Sequence, residues 1–376
     1  MKEILADLET RLPDGIALLH QMVDMDSPSY DKPLVDRLVR FLAGRFEQIG
    51  GRVTITPVAG FGDHLVIHFP GSSDRTIMLL GHTDTVFAAG EATRRPFKIE
   101  GDVATGPGVF DMKAGIAMMW MALSTLLDTR GGLTNPVTVL LTSDEEIGGA
   151  TSQKLIEAEA RKARAVLVLE PSLPGGSLKT ARKGVGRFTV KAIGKAAHSG
   201  INPGAGVNSI EEIAHQILRL HSMNDTDRGT SVTVGVIKGG TRSNVVPAET
   251  GIEVDTRTST PEEVERITTA IRGLSPVLDG SRLEVRGGIN RPPMERTRKT
   301  ARMFEIAREI AASLGQSLEE GSTGGASDGN FTAALGIPTL DGLGPIGLGP
   351  HQPDEHILLS SLAWRTTLVA GLTERL

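Results

Sequence analysis

A chain of 376 residues exceeds what one ordinary core needs and predicts two domains. Its formal charge of −5 argues against a nucleic-acid or acidic-membrane partner, and an aromatic content of 3% leaves few rings to stack on bases or sugars. The absence of cysteine excludes disulfides, thiol catalysis and Cys-ligated zinc, so His, Asp and Glu remain as the strong metal ligands.

The opening MKEILADLETRLPDGI reads as an amphipathic helix with early acidic residues. It lacks the basic start, apolar stretch and small-residue cleavage site of a signal peptide. No other segment reads as long and apolar enough to span a bilayer, so a cytoplasmic protein is expected. Residues 34–49 carry apolar side chains at 3–4 spacing and predict a helix. Val53–Val58 and Leu65–Phe69 read as strands, and Thr76–Leu80 as a buried strand running into GHTDTVF. Residues 113–128 predict a buried helix. Val137–Thr142 is a strand leading into SDEEIGG, 151–162 a helix, and Ala165–Leu169 a strand ending in EPS. This strand–helix alternation predicts an α/β layer with a mostly parallel sheet.

The middle of the chain changes character. Val185–Ile193 alternates like a half-exposed strand. Then come a helix at 207–221, strands at Ser231–Ile237 and Thr250–Arg257, a helix at 261–273 and a strand at Arg282–Arg286. The order β-α-β-β-α-β is that of the ferredoxin-like split unit, so 184–290 is expected to be an inserted α+β domain between 1–183 and 291–376. Arg291–Met294 marks the return to the first domain, followed by a helix at 297–314, a strand at Ile337–Leu340 and a closing helix at 359–375.

His82, Asp111, Glu146, Glu170 and His351 each lie at a predicted strand end or in a Gly-rich loop. Ligands of open α/β sheets bind at the carboxyl edge where His82, Glu146 and Glu170 fall. His82 and Asp84 are two residues apart, so on extended backbone they share a face, and Asp84 could accept the second imidazole N–H of a metal-bound His82. A lone histidine there would read as a satisfied core residue; its company argues otherwise. Asp111, before a helical run, suits a helix N-cap as well as a ligand. Asp144, Glu145 and Glu146 put like charges in succession after an apolar strand, which is costly unless a cation compensates. The loop GLGPHQPDEHI holds His351 in a Gly- and Pro-shaped setting, with Glu355 and His356 beside it. Two histidines and three carboxylates suit two zinc ions with one carboxylate bridging. A further carboxylate, Glu145, is the choice for moving the proton from water to the leaving nitrogen.

GHTDTV, GPGVFDMKAG, TSDEEIGG, LEPS, GKAAHSG, SNVVPAE and the late H-x-x-x-E, in that order from residue 81 onward, resemble the di-zinc aminoacylase and carboxypeptidase family. Its members include glutamate carboxypeptidase, acetylornithine deacetylase and succinyl-diaminopimelate desuccinylase. The resemblance implies a di-zinc exopeptidase-type catalytic domain with a ferredoxin-like lid that also dimerises. It implies one zinc on His82, Asp111 and Glu170, and a second on Asp111, Glu146 and His351. Co2+ or Mn2+ are possible substitutes. Glu145 would be the general base and acid, Asp84 would orient His82, and the Asp111–Met112 peptide would be cis. His198 is similar to a lid histidine that crosses the dimer to stabilise the oxyanion, although in its polar turn it also reads as structural. Asn244 and the backbone around Gly325 are similar to substrate-binding positions. Arg257 is expected either to bind the substrate carboxylate with its planar fork or to form a surface salt bridge.

The likeness is greatest to glutamate carboxypeptidase. Arg182 and Lys183 resemble the deacetylase side, and His356 stands where a tyrosine is frequent; these departures leave the substrate open and the zinc chemistry untouched. The implied reaction is hydrolysis of an amide next to a free carboxylate in a small N-acyl amino acid or peptide, by a homodimer. The alternatives are an N-acyl amino acid deacylase and a non-catalytic binding relative. The latter is disfavoured because Glu145 and all the ligands are present. No strand–GxGxxG–helix unit with a following acid supports a dinucleotide-binding dehydrogenase.

Overall fold

A computed structural model describes all 376 residues, and backbone contacts divide them into two compact units. The first comprises Met1–Ala181, Arg296–Thr323 and Ser327–Leu376; the second comprises Arg182–Glu295 and Gly324–Ala326.

The first unit is built on a six-stranded sheet. Its strands are β1 (Arg52–Thr56), β2 (His64–Phe69), β3 (Ile77–His82), β4 (Val137–Thr142), β5 (Ala165–Val168) and the short Thr339–Leu340, in the order β1-β2-β4-β3-β5 with Thr339–Leu340 outermost. β3 runs parallel to β4 and β5, and Thr339–Leu340 parallel to β5, while β1 and β2 form an antiparallel edge. Every residue of β3 and β4 is buried, which is why both read as unbroken apolar runs and not as alternating ones.

Helices α1 (Lys2–Val23), α2 (Lys32–Gln48), α3 (Ala114–Arg130) and α4 (Gln153–Ala160) belong to the same unit. The Asp31 side chain caps α2 by accepting from the Leu34 N–H at 3.2 Å. α3 is apolar around most of its circumference and packs against α1 and the C-terminal helix Leu362–Arg375; left-handed Gly131 (φ 69°) ends it. With the turn before it, this stretch (Val109–Arg130) is long and apolar enough to cross a membrane, contrary to the expectation that no segment would be. Of its most apolar 18-residue window 89% is buried, so it is the central helix of the core.

The second unit contains β6 (Gly184–Ile193), α5 (Ser209–His221), β7 (Ser231–Gly239), β8 (Glu249–Thr258), α6 (Pro261–Arg272) and β9 (Arg282–Arg291). The strands form an antiparallel sheet in the order β7-β8-β6-β9. Alternate residues of β6 and β8, such as Phe188, Val190, Ile252 and Val254, pack with Ile213, Ile267 and Ile271 of the two helices. Asn208 caps α5, and Thr260 caps α6 with Pro261 at its first turn. Arg182 and Met294 exchange backbone hydrogen bonds of 2.9 and 3.0 Å, so the entering and leaving strands close the unit outside the bounds 184 and 290 read from sequence. β9 also runs past the expected Arg286. Gly287 (φ 98°) looks like a stop signal, but it lets the strand continue where a Cβ would meet the Arg187 carbonyl at 2.2 Å. The chain then re-enters the first unit through α7 (Arg298–Ser313), capped by Thr297, and ends in α8 (Leu362–Arg375).

Candidate metal centre

The first unit gathers its ionisable residues at the carboxyl edge of the parallel strands. His82 is the last residue of β3, Glu145 and Glu146 open a short turn after β4, and Glu170 stands two residues past β5. Asp111 lies in the non-helical turn that feeds α3, and the Asp111–Met112 peptide is cis. His351 sits in the loop between the short strands Gly347–Leu348 and His356–Leu358, with left-handed backbone (φ 66°).

These side chains form two adjoining sets. His82 Nε2 lies 3.2 Å from Asp111 Oδ1 and 3.4 Å from Glu170 Oε1. His351 Nε2 lies 3.3 Å from Asp111 Oδ2 and 3.0 Å from Glu146 Oε2. Asp111 therefore divides its two oxygens between the sets. Zinc bonds to N and O at tetrahedral angles separate neighbouring ligand atoms by about 3.3–3.5 Å, close to the spacing found here. The His82 Nδ1–H donates to the Asp84 carbonyl at 2.9 Å, so a neutral ring turns a lone pair on Nε2 toward carboxylate oxygens. That arrangement calls for a cation between them. Glu146 Oε1, buried with no hydrogen-bond partner, is a further anionic atom awaiting a counter-charge. The residues present thus fit a pair of metal ions.

With protons alone as counter-charge, the electrostatics say the same. Hydrogen bonds to Asp111 and Glu146 push His351 up to about 11. Burial opposes charge on His82, yet Asp111, Asp84 and Glu170 hold it well above the ordinary histidine value. Burial also raises Asp111, but its bonds to His351 and His82 outweigh that and hold it below the usual carboxylate range. Burial, reinforced by Asp111, drives Glu146 up to about 7. Groups displaced this far in one cluster mark a functional site.

Asp84 is fully buried, and its role differs in detail from the expectation. Its carbonyl takes the His82 N–H, while its carboxylate stands 3.5 Å from that ring. The carboxylate instead accepts from the Ser29 hydroxyl at 2.7 Å and from the Glu145 and Glu146 N–H groups at 3.2 Å each. It thereby holds the turn bearing the proposed base as well as the histidine. Glu145, mostly buried, lies in one cluster with His82 and Glu170, where their ligand atoms fall within 4.8 Å of one another.

Sequence reasoning gave no role to Ser29, a buried serine in an unremarkable DSPSY, or to Glu355, although the late H-x-x-x-E held a signal for it. Glu355 is fully buried and accepts from the Gly108, Phe110 and Asp111 N–H groups at 2.8–2.9 Å. Burial pushes its carboxyl up to about 7 against the pull of those three donors.

The remaining sites named from sequence lie in the second unit. His198 is exposed, and its Nδ1 accepts from the Gly200 and Ile201 N–H groups at 3.1 Å, which leaves Nε2 to carry the proton outward. The Asn244 carbonyl accepts from Ser199 N–H at 3.1 Å and braces the same turn. The Gly325 carbonyl accepts from Arg182 at 3.1 Å. Arg257 does not present a free fork. Nε and Nη2 donate to Asp255 at 2.7 and 3.0 Å, and Nη1 donates to the Gly324 carbonyl, because Asp255 lies two residues back on the same face of β8. The structure shows the salt bridge that was the other reading of Arg257.

Comparison with known proteins agrees with this geometry. The model of peptidase family M20/M25/M40 matches residues 78–375. Carboxypeptidase G2 of Pseudomonas sp. (strain RS-16) is 29% identical over 96% of this chain and 88% of its own. Succinyl-diaminopimelate desuccinylase of Xanthomonas oryzae pv. oryzae is 30% identical over 81% of this chain and 85% of its own. A tripeptidase structure from Staphylococcus aureus superposes with a TM-score of 0.80 over 97% of this chain and 98% of that one, at 24% identity. The chain belongs to peptidase family M20/M25/M40 and is a hydrolase of the metallopeptidase kind.

Proposed function

We propose that the protein hydrolyses an amide bond next to a free carboxylate, in the manner of a glutamate carboxypeptidase, with two zinc ions. The observation that carries this reading is Asp111, whose two oxygens each face a separate histidine–carboxylate set. His82, Asp111 and Glu170 would hold one ion, and Asp111, Glu146 and His351 the other. Bound there, two ions polarise a carbonyl and lower the pKa of a water.

The protein's own residues supply the rest. Glu145 belongs to neither ligand pair around Asp111 yet clusters with His82 and Glu170, so it takes the proton from water and passes it to the leaving nitrogen. Asp84 fixes the backbone from which Glu145 projects. His198, with its proton on Nε2, donates to the oxygen on which charge develops, and acts from the partner subunit of a homodimer. Asn244 and the backbone at Gly325 line the substrate.

A second reading, release of an acyl group from an N-acyl amino acid, draws support from the similarity to succinyl-diaminopimelate desuccinylase. It uses the same residues and differs in which side of the amide fills the pocket. Metal content and turnover on a panel decide between them. The panel holds aminobenzoyl- and γ-glutamyl-glutamate amides, dipeptides, N-acetyl amino acids and succinyl-diaminopimelate. Chelator-sensitive release of glutamate supports the first reading, and preference for the acyl diamino acid supports the second. Failure to bind any metal ion after zinc addition overturns both.

A further inference from the structure

The two loops that carry Asp111 and His351 spring from one small sheet. The strand Val103–Thr105 leads into the Gly106–Asp111 turn, and it pairs with His356–Leu358, which in turn pairs with Gly347–Leu348. His356 lies directly opposite Thr105 in that register. The sheet therefore fixes the bases of both loops but not their tips, where the ligands sit.

Beside the approach of His351 to Asp111, a second side chain crosses between the tips. Glu355, four residues after His351, sends Oε2 to the Gly108 N–H at 2.9 Å and Oε1 to the Phe110 and Asp111 N–H groups at 2.8 Å. Asp111 is thus gripped through its own peptide nitrogen. On the other side, Glu355 is tied into the His351 loop by its N–H to the Gln352 carbonyl at 3.2 Å, and Gln352 N–H bonds the Gly349 carbonyl at 3.0 Å. Arg95 holds the Pro353 carbonyl at 2.6 Å, so the loop is anchored from outside as well. His351 keeps a left-handed backbone, which an L-residue holds only where its surroundings are fixed.

We infer that Glu355 is a positioning residue: its carboxylate straps the Asp111 turn to the His351 loop and sets the spacing of the second metal site. Three converging N–H donors require an acceptor with no proton of its own to offer. A carboxylate meets that requirement, whereas an amide would turn an NH2 group toward one of the donors. The strap acts only through backbone, touching neither His351 nor the Asp111 carboxylate. It rests on the two-metal reading above and goes beyond its ligand list.

The test compares wild type with Glu355→Gln, and with the shorter Glu355→Asp should the first not fold. Metal-stripped proteins are titrated with Co2+. The readouts are stoichiometry, affinity, the visible absorption of bound cobalt and the melting temperature of the stripped protein. Wild type is expected to take two ions. The variant is expected to bind the weaker one about 10- to 100-fold less tightly and to show an altered cobalt spectrum. Two ions in the variant with wild-type affinity and spectrum overturn the inference. So does a drop in stripped-protein stability with metal binding unchanged, since that marks a purely structural bond. A wild type that takes up no cobalt strikes at the metal reading itself, so the two failures are distinguishable.

Discussion

Loading the stripped protein with metal at pH 7 should release more than about one proton per chain, because a ligating imidazole must be neutral. His351, pushed up to about 11 by Asp111 and Glu146, carries a proton at that pH. Asp111, Asp84 and Glu170 raise His82 above its ordinary value despite burial and so bias it toward its protonated form as well. Glu146, at about 7, adds up to roughly half a proton more. The sign follows directly. Both histidines have raised values, so protons compete with the metal across the whole range below His351's value, and binding weakens as pH falls. His351 alone should make binding about 10-fold weaker per pH unit as pH falls from 8 to 6, and protons on His82 and Glu146 steepen the fall. Calorimetric titration with zinc in buffers of different ionisation enthalpy reads the proton count directly. His351→Ala should lower it by about one. Release of fewer than one proton would refute the assignment of both histidines as ligands.

Glu145→Gln should retain both ions by elemental analysis while turnover falls about 10²- to 10⁴-fold, the usual contribution of a positioned acid–base group. Near wild-type turnover with both ions bound would remove Glu145 from the proton path. Arg365 is a fully buried cation whose nitrogens donate to the carbonyls of Gly176, Gly342 and Gly344. Arg365→Leu orphans three carbonyls at about 1–3 kcal/mol each, partly offset by removal of a buried charge. A loss of about 2 kcal/mol or more in urea unfolding is expected, and an unchanged midpoint would show that those carbonyls find other partners.

The candidate ligands were legible because strand ends announce themselves. An apolar run that stops at His82, at Ser143 before three acids, or at Glu170 tells where the sheet's carboxyl edge lies. Asp111 and His351 were harder, since a Gly-rich turn gives no periodicity, and only the company of the other motifs picked them out. What sequence could not convey was which atom of a residue does the holding. Asp84 was assigned to His82 through its side chain, and the bond is made by its carbonyl, which every residue possesses. Arg257 carries the right group for a carboxylate, but a pairing two residues away along β8 occupies it. Ser29 reaches Asp84 across 55 positions, a contact that no local pattern encodes. Helix α3 read rightly as buried, but its length and apolar composition also pass for a membrane span, which the sequence reading overlooked. Its composition alone suits a membrane, and only the helices packed around it show that protein takes the place of lipid.

The proposed role of His198 ties the chemistry to a proposed homodimer, and it can be tested without a structure of that dimer. Its Nδ1 is spent on two backbone N–H groups, so the ring is a fixed Nε2–H donor and not a base. His198→Ala should lower turnover about 10²- to 10³-fold, as loss of an oxyanion donor does, with metal content intact. If the donor acts across a two-fold interface, a dimer of one Glu145→Ala chain and one His198→Ala chain contains one complete site and one doubly defective site. Random exchange of the two inactive variants makes half the dimers mixed, so the mixture should recover about a quarter of wild-type activity. If His198 serves its own chain, no combination yields a complete site and the mixture stays inactive. Recovery therefore distinguishes a shared active site from a self-contained one, and an inactive mixture in which mixed dimers are shown to form removes the partner subunit from the mechanism.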